Sequence, residues 1–159
     1  MSLHQDLLRE LSARIERLQR SAREAHTEAT HEENKAESKY DTRGLEASYL
    51  AEGQTLKAAE LEKHFLQLQA LSPRMFNPKD PVALGALVEL VELKRASEAT
   101  WYFIAPCAGG TELETQGQPV LVLTPESPLG RQLIGKRVGD KFSRKIRHAT
   151  NHFTITSVL

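Results

Sequence analysis

The stretch LRELSARIERLQRSAREAHTEA, residues 8–29, places apolar or small side chains at Leu8, Leu11, Ile15, Leu18, Ala22, Ala25 and Ala29. The steps alternate between three and four residues. That keeps all seven on one side of an α-helix, the heptad spacing of a coiled coil. A second stretch, ASYLAEGQTLKAAELEKHFLQL, residues 47–68, repeats the alternation at Ala47, Ala51, Gln54, Ala58, Leu61, Phe65 and Leu68. The two seams taper in mirror order, with large residues at the outer ends and alanines toward the middle. A chain that folds back on itself near Glu37 pairs Leu8 with Leu68, Leu11 with Phe65, Ile15 with Leu61 and Ala25 with Ala51. The expected element is an antiparallel two-helix coiled-coil hairpin over residues 1–72. Its first helix runs to about Asn34, the reversal occupies Lys35 to Gly44, and the second helix spans Leu45 to Leu71. Each arm is about 42 Å long at 1.5 Å per residue. Gly53 interrupts the second helix at roughly 1 kcal/mol relative to alanine, beside a seam of small residues that implies close helix approach.

Past the hairpin the pattern changes. Pro73, Pro78 and Pro81 punctuate residues 73–81, where proline excludes helix and favours extended or turn geometry. From Val82 onward short apolar runs replace the helical period. Candidate strands are Ala86–Leu93, Thr100–Ala105, Pro119–Leu123, the surroundings of Lys141–Phe142, and His152–Leu159, with Cys107–Gln118 as a loop. Ser127 with Pro128 reads as an N-cap followed by proline at the first helical position, opening a short helix to Leu133 that Gly135 ends. The fold class is α+β: a helical hairpin, a proline-rich linker and a mostly antiparallel β-domain over 82–159.

Charge and residue chemistry exclude several classes. Residues 1–72 carry ten Lys/Arg against thirteen Asp/Glu, and residues 73–159 eleven against eight. Neither half has the basic excess of an autonomous nucleic-acid binder. The basic cluster Arg144, Lys145, Arg147 and His148 reads equally as a solvated turn or as a contact to nucleic acid or a protein partner. Cys107 is the sole cysteine, so neither an intrachain disulfide nor a cysteine zinc cluster can form. Pro106, Ala108, Gly109 and Gly110 supply no base to activate it. His148 and His152 are four apart, but in a stretch leading into a strand that spacing has no metal-binding meaning. His31-Glu32-Glu33-Asn34 lacks the second histidine of a zinc-protease helix. Gly109-Gly110 lacks the rest of a phosphate loop, and Trp101 to Ile104 read as a core strand. No signal peptide or membrane-length apolar run is present, and a cytoplasmic protein is expected.

The string Ser127-Pro128-Leu129-Gly130-Arg131-Gln132-Leu133-Ile134-Gly135-Lys136, followed by Val138-Gly139-Asp140, resembles the signature of the bacterial Gre (GreA/GreB) transcript-cleavage factors, which are transcription elongation factors. Leu84-Gly85-Ala86-Leu87-Val88 is similar to the opening of that family's first C-terminal strand. The resemblance implies an FKBP-like C-terminal domain that docks at the rim of the RNA polymerase secondary channel, with Ser127, Pro128, Arg131 and Lys136 as candidate partner contacts. It implies a hairpin whose acidic tip helps hold the polymerase's Mg²⁺ and orients a water that cleaves backtracked RNA, touching nascent RNA and template DNA only indirectly. The protein would have no cofactor of its own and would be no enzyme alone. An FKBP-like fold by itself does not imply prolyl isomerase activity.

For the tip, the candidates are Glu33, Glu37 and Asp41, with Glu33 and Glu37 as tentative Mg²⁺ ligands. Magnesium takes oxygen donors and keeps waters, so one or two carboxylates supplied from outside suit it. The family's tip carries an aspartate and a glutamate three residues apart. The match by spacing here is Asn34 to Glu37, with Lys35, Lys39 and Arg43 interleaved. Two rival readings stand: a non-catalytic regulator that occupies the same channel and competes with cleavage factors, and an unrelated coiled-coil interaction protein. Because the seam is used within one chain, a monomer is expected.

Overall fold

The structure, a computed structural model, describes residues 2–30, 43–95, 99–146 and 149–159. Two long helices come first: α1, Leu3–Thr30, and α2, Arg43–Gln69. Six strands follow, β1 Leu87–Glu92, β2 Ala99–Ile104, β3 Glu112–Thr115, β4 Gln118–Leu123, β5 Lys141–Ile146 and β6 Ala149–Val158, with one short helix, α3 Gly130–Leu133, between β4 and β5. The chain divides into two compact units, Leu8–Leu66 and the combination of Met1–Leu7 with Gln67–Leu159.

Within the helical unit, the heptad reading of α2 matches its burial residue by residue. Ala47, Ala51, Ala58 and Leu61 are buried, while Gln54 and Phe65 are half-buried. On α1, Leu11 and Ala25 are buried and Ile15, Leu18, Ala22 and Ala29 half-buried. The helices run side by side in opposite directions. Ala22 shares one cleft with Ala51 and Thr55, and Leu18 shares another with Gln54 and Leu61. The Gln19 amide also donates to a Glu62 carboxylate oxygen at 2.9 Å. Burying a leucine is worth about 1.5–3 kcal/mol, whereas a methyl contributes about 0.8. The leucine-rich end, at Leu11 and Leu61, therefore holds the hairpin more firmly than the alanine end at Ala25 and Ala47. Gly53 is not needed for close packing: a Cβ placed there meets no atom within 4 Å. The expected close approach at that residue is thus corrected, because Gly53 lies on the exposed side of the helix.

The second unit takes in both helix ends. Ser2 begins α1, with its carbonyl accepting from Gln5 and Asp6 N–H groups at 2.9 and 3.1 Å. His4 Nε2 donates to the Leu68 carbonyl at 2.7 Å, and Leu7 and Leu68 are fully buried. Helix α2 stops at Gln69, two residues before the expected Leu71, and Leu71 N–H closes a last turn onto Leu68 O at 3.0 Å. The proline segment that follows has no regular structure. Arg74 stacks its guanidinium 4.0 Å over the Phe76 ring, and Asn77-Pro78-Lys79-Asp80 forms a turn closed by Asp80 N–H to Asn77 O at 2.8 Å.

The strands form one sheet in the order β3-β4-β2-β1-β6-β5, antiparallel except for the β2–β4 pair. Pairing of Leu87 with Phe103 and Glu89 with Trp101 fixes β1 against β2. One face carries the core: Val88, Leu90, Ile104, Leu123, Ile155 and Val158, covered by Phe76 and Val82 and by Leu129 and Leu133 at α3. Strand β3 lies inside the segment expected to be loop. Its turn into β4 is a two-residue reversal with Gln116 at φ 50° and Gly117 at φ 77°, the left-handed geometry of a type I′ hairpin. The short helix also differs from expectation, starting at Gly130 instead of Ser127.

Candidate functional site

The turn that leads from β4 into α3 is built by Ser127. Its hydroxyl donates to the Thr124 carbonyl at 2.8 Å and accepts from the Gly130 N–H at 3.0 Å. The second bond is that of an N-cap side chain to the third helical N–H, although the residues between are turn and not helix. Gly130 is required here by space: a Cβ would fall 2.0 Å from the Thr124 carbonyl oxygen and 2.9 Å from Ser127 Oγ. Leu129 and Leu133 then point into the core.

After α3 the chain is pinned to the segment before β1. Gly135, at φ 82°, donates its N–H to Val82 O at 2.9 Å, and Val82 N–H donates to Lys136 O at 2.7 Å. The Arg137 guanidinium bonds the Lys79 carbonyl. Arg137 N–H also donates to the Asp140 carboxylate at 2.8 Å, closing the turn around Gly139. This framework leaves a defined set of side chains in solvent. Pro128 and Arg131 are exposed, Ser127 and Lys136 are half-buried, and Ile134 and Val138 retain 40% and 38% of their surface. The Arg131 Nε–H donates to the Glu126 carbonyl at 2.8 Å, which steadies the side chain and leaves its terminal nitrogens available.

Thus the four residues singled out from the sequence fall on one element but divide by what they touch. Ser127 is spent on the turn, and the Lys136 carbonyl on Val82. Pro128 and Arg131 face outward. Ile134 was missed by sequence reasoning as a surface residue, because its place in a hydrophobic run gives no sign that Gly135 turns the chain away beneath it. The tip candidates Glu33, Glu37 and Asp41, together with Asn34, lie outside the described residues, as do Arg147 and His148. Cys107 is buried, and burial pushes its thiol pKa up, against any nucleophilic use. Trp101 is half-buried and Phe103 and Ile104 are buried, as a core strand requires. Among the described residues no three His, Cys, Asp or Glu side chains converge as a metal site, and no helix is long and apolar enough to cross a membrane.

Residues 77–159, just over half of the chain, match the family model described as transcription elongation factor, GreA/GreB, C-terminal. The chain belongs to the GreA/GreB family. It is a transcription elongation factor, and membership implies binding to RNA polymerase. The motif that carried the resemblance, Ser127 to Lys136, is thereby placed in the family's C-terminal domain.

Among solved structures, the chain is similar to GreA factor homolog 1 of Thermus thermophilus, at 21% identity and TM-score 0.40, covering 96% of this chain and 94% of that one. The Thermus aquaticus homolog gives 21% and 0.41, with 99% and 96% covered. A GreA/GreB elongation factor from Nitrosomonas europaea gives 18% and 0.38, with 64% and 78% covered. No curated protein matches the chain. In this chain two N-terminal helices precede the matched domain, whose sheet is mostly antiparallel.

Proposed function

We propose that this GreA/GreB-family chain binds RNA polymerase at its secondary channel through the surface around α3, and that the α1–α2 hairpin presents acidic residues to the polymerase active site to stimulate cleavage of backtracked RNA. The observation that carries the docking half is the division within the Ser127–Lys136 element: a rigid framework that leaves Pro128, Arg131 and Ile134 outward. A proline and an aliphatic with a steadied guanidinium offer apolar surface and one fixed charge, and arginine is a residue type enriched in protein-binding hot spots. Ser127 acts as a positioning residue behind it, and Lys136 lends charge at its edge.

For the cleavage half, Glu33 and Glu37 are the candidate ligands and Asp41 the third acid. Carboxylate oxygens are the donors that Mg²⁺ accepts, and a second metal in the polymerase would activate water and stabilise the leaving oxygen. Added to stalled, backtracked complexes, the protein shortens the RNA from its 3′ end, and Glu37→Ala or Glu33→Ala abolishes this while co-purification with polymerase persists. Wild-type protein that binds polymerase and leaves the RNA intact refutes the cleavage half.

A second reading has its own support in the sequence. Asn34 stands where the family carries an aspartate, and Lys35 and Lys39 interleave with the acids. An amide carbonyl brings an oxygen without the charge that holds Mg²⁺. On this reading the protein occupies the channel without cutting, and it lowers the activity of an added cleavage factor in competition. Absence of co-purification with polymerase at low salt eliminates both.

A further inference from the structure

The inner seam of α2 is one of two heptad-spaced rows on the helix, and the other mixes apolar with charged residues. This second row runs along the exposed side at the same heptad spacing: Tyr49, Glu52, Leu56, Ala59, Lys63 and Leu66. All six are exposed, and the three large members retain 65%, 66% and 62% of their surface. Isolated exposed leucines are ordinary, but an aligned row of large ones marks an interaction surface. Among the described residues of the hairpin, none covers it.

The order of residues in this stripe identifies what does. It is complementary to its own reverse. Laid antiparallel against a second copy, with a two-fold axis between residues 57 and 58, Tyr49 meets Leu66, Glu52 meets Lys63 and Leu56 meets Ala59, each pair occurring twice. Opposite charges face each other at both symmetry-related positions, and at the centre a large side chain meets a small one, as interdigitating helix faces require. A two-fold interface needs one patch complementary to itself, and a parallel arrangement would instead set Glu52 beside Glu52 and Lys63 beside Lys63. Gly53, on the edge of the stripe and with open space above it, adds no obstacle to close approach.

We propose that the exposed face of α2 is a homodimer interface, in which two copies pair their second helices antiparallel through Tyr49, Leu56 and Leu66 with Glu52–Lys63 ion pairs on either side of the axis. A contact along five turns of one helix falls at the low end of interface sizes, below about 1,200 Å² in total, so the dimer forms reversibly with concentration. It coexists with the inner seam, which is used within each chain.

The test is sedimentation velocity of the full chain over a concentration series at low and high salt, with circular dichroism confirming that each variant keeps its helices. Wild type shifts from monomer to dimer as concentration rises. Leu56→Glu, at an exposed position, stays monomeric. Lys63→Glu sets like charges opposite each other twice and weakens association by about tenfold at low salt, and the charge swap Glu52→Lys with Lys63→Glu recovers most of that loss. A wild type that is monomeric throughout, a Leu56→Glu variant that still dimerises, or a charge swap as weak as Lys63→Glu alone each overturns the proposal. So does a monomeric wild type whose co-sedimentation with RNA polymerase is lost on Leu56→Glu, which assigns the stripe to the polymerase.

Discussion

Replacing Ser127 by alanine separates a brace from a contact. The serine hydroxyl holds Thr124 O at 2.8 Å and Gly130 N–H at 3.0 Å. In the alanine variant the N–H of buried Gly130 loses its partner. Loss of a capping hydroxyl costs about 0.5–2 kcal/mol, and an unsatisfied buried N–H about 1–3 kcal/mol. Since Ser127 is half-buried and water regains part of the bond, about 1.5 kcal/mol is expected. With a urea dependence of about 1–1.5 kcal/mol per molar for a unit of this size, the unfolding midpoint falls by about 1 M. The sole tryptophan, Trp101, is half-buried on β2, so its fluorescence reports the sheet unit alone. Ser127→Thr, which keeps the hydroxyl, stays close to wild type. Polymerase binding in buffer survives Ser127→Ala, because the folded population remains dominant. Arg131→Ala gives the opposite pattern: a stability within about 0.5 kcal/mol of wild type, as for exposed substitutions, with binding about tenfold weaker. If Ser127→Ala leaves the midpoint unchanged and abolishes binding, the hydroxyl is a contact and the division of labour argued above is wrong.

Gly130→Ala drives a methyl against the Thr124 carbonyl at 2.0 Å, beyond what rotamer adjustment relieves. It is expected to destabilise the sheet unit by about 3 kcal/mol or more, by the same Trp101 readout. Gly53→Ala goes the other way: an exposed helical glycine with nothing near its Cβ gains about 0.5–1 kcal/mol, read by circular dichroism melting of the helices. Burial raises the pKa of the Cys107 thiol and of the Tyr102 phenol. A raised folded-state pKa means stability is intact below the unfolded-state value and is lost as pH rises through the folded one. The Trp101 urea midpoint should therefore hold steady to about pH 8.5 and decline above it, through the tyrosine range near about pH 10. An unchanged midpoint across that range contradicts the burial assigned to both groups.

The hairpin was legible because its signal is redundant. Seven positions at fixed spacing in each arm specify a face, and the structure buries or half-buries every one of them in α2. At the start of α1 the register was less determined. Leu7 and Leu8 are adjacent, and Leu7 takes the fully buried place while Leu8 is half-buried, so one extra leucine made the seam ambiguous. Strand β3 was missed for a different reason. Its four residues, Glu112 to Thr115, include two carboxylates and only one aliphatic side chain, and its turn is Gln116-Gly117, where the strong hairpin signals are Asn-Gly and Asp-Gly. What makes it a strand is hairpin pairing with β4, which neither its own composition nor its weak turn signal announces. The parallel β2–β4 pair is non-local, joining residues 19 apart such as Trp101 and Val120, with β3 placed outside β4. Helix α3 was read too long because the Ser127-Pro128 signature describes a capped turn as well as a capped helix.

That last point bears on what the family signature means. Of the ten residues from Ser127 to Lys136, most are explained by the fold: the capping hydroxyl, the glycine that no Cβ can replace, Leu129 and Leu133 in the core, Gly135 at positive φ, and the Lys136 carbonyl bonded to Val82. The side chains of Pro128, Arg131 and Ile134, with that of Lys136 at their edge, remain to meet a partner, and the half-buried Gln132 is accounted for by neither role. A string held mainly by packing identifies the domain strongly and the docking surface moderately, and it carries no information about residues 33–41. Cutting and docking are therefore separable by physical argument as well as by experiment. The α3 framework is built by residues 79–140, so its strength is expected to be the same whether position 34 is aspartate or asparagine. Under the proposed function, loss of one carboxylate charge at position 34 would weaken the Mg²⁺ ligand set, and it is expected to cost the sheet unit no stability. Asn34→Asp is the substitution that uses this independence. It should raise RNA cleavage if the tip reaches the metal, while leaving the Trp101 urea midpoint and polymerase affinity as they were. A rise in affinity, or a fall in midpoint, would mean that tip and framework are coupled after all.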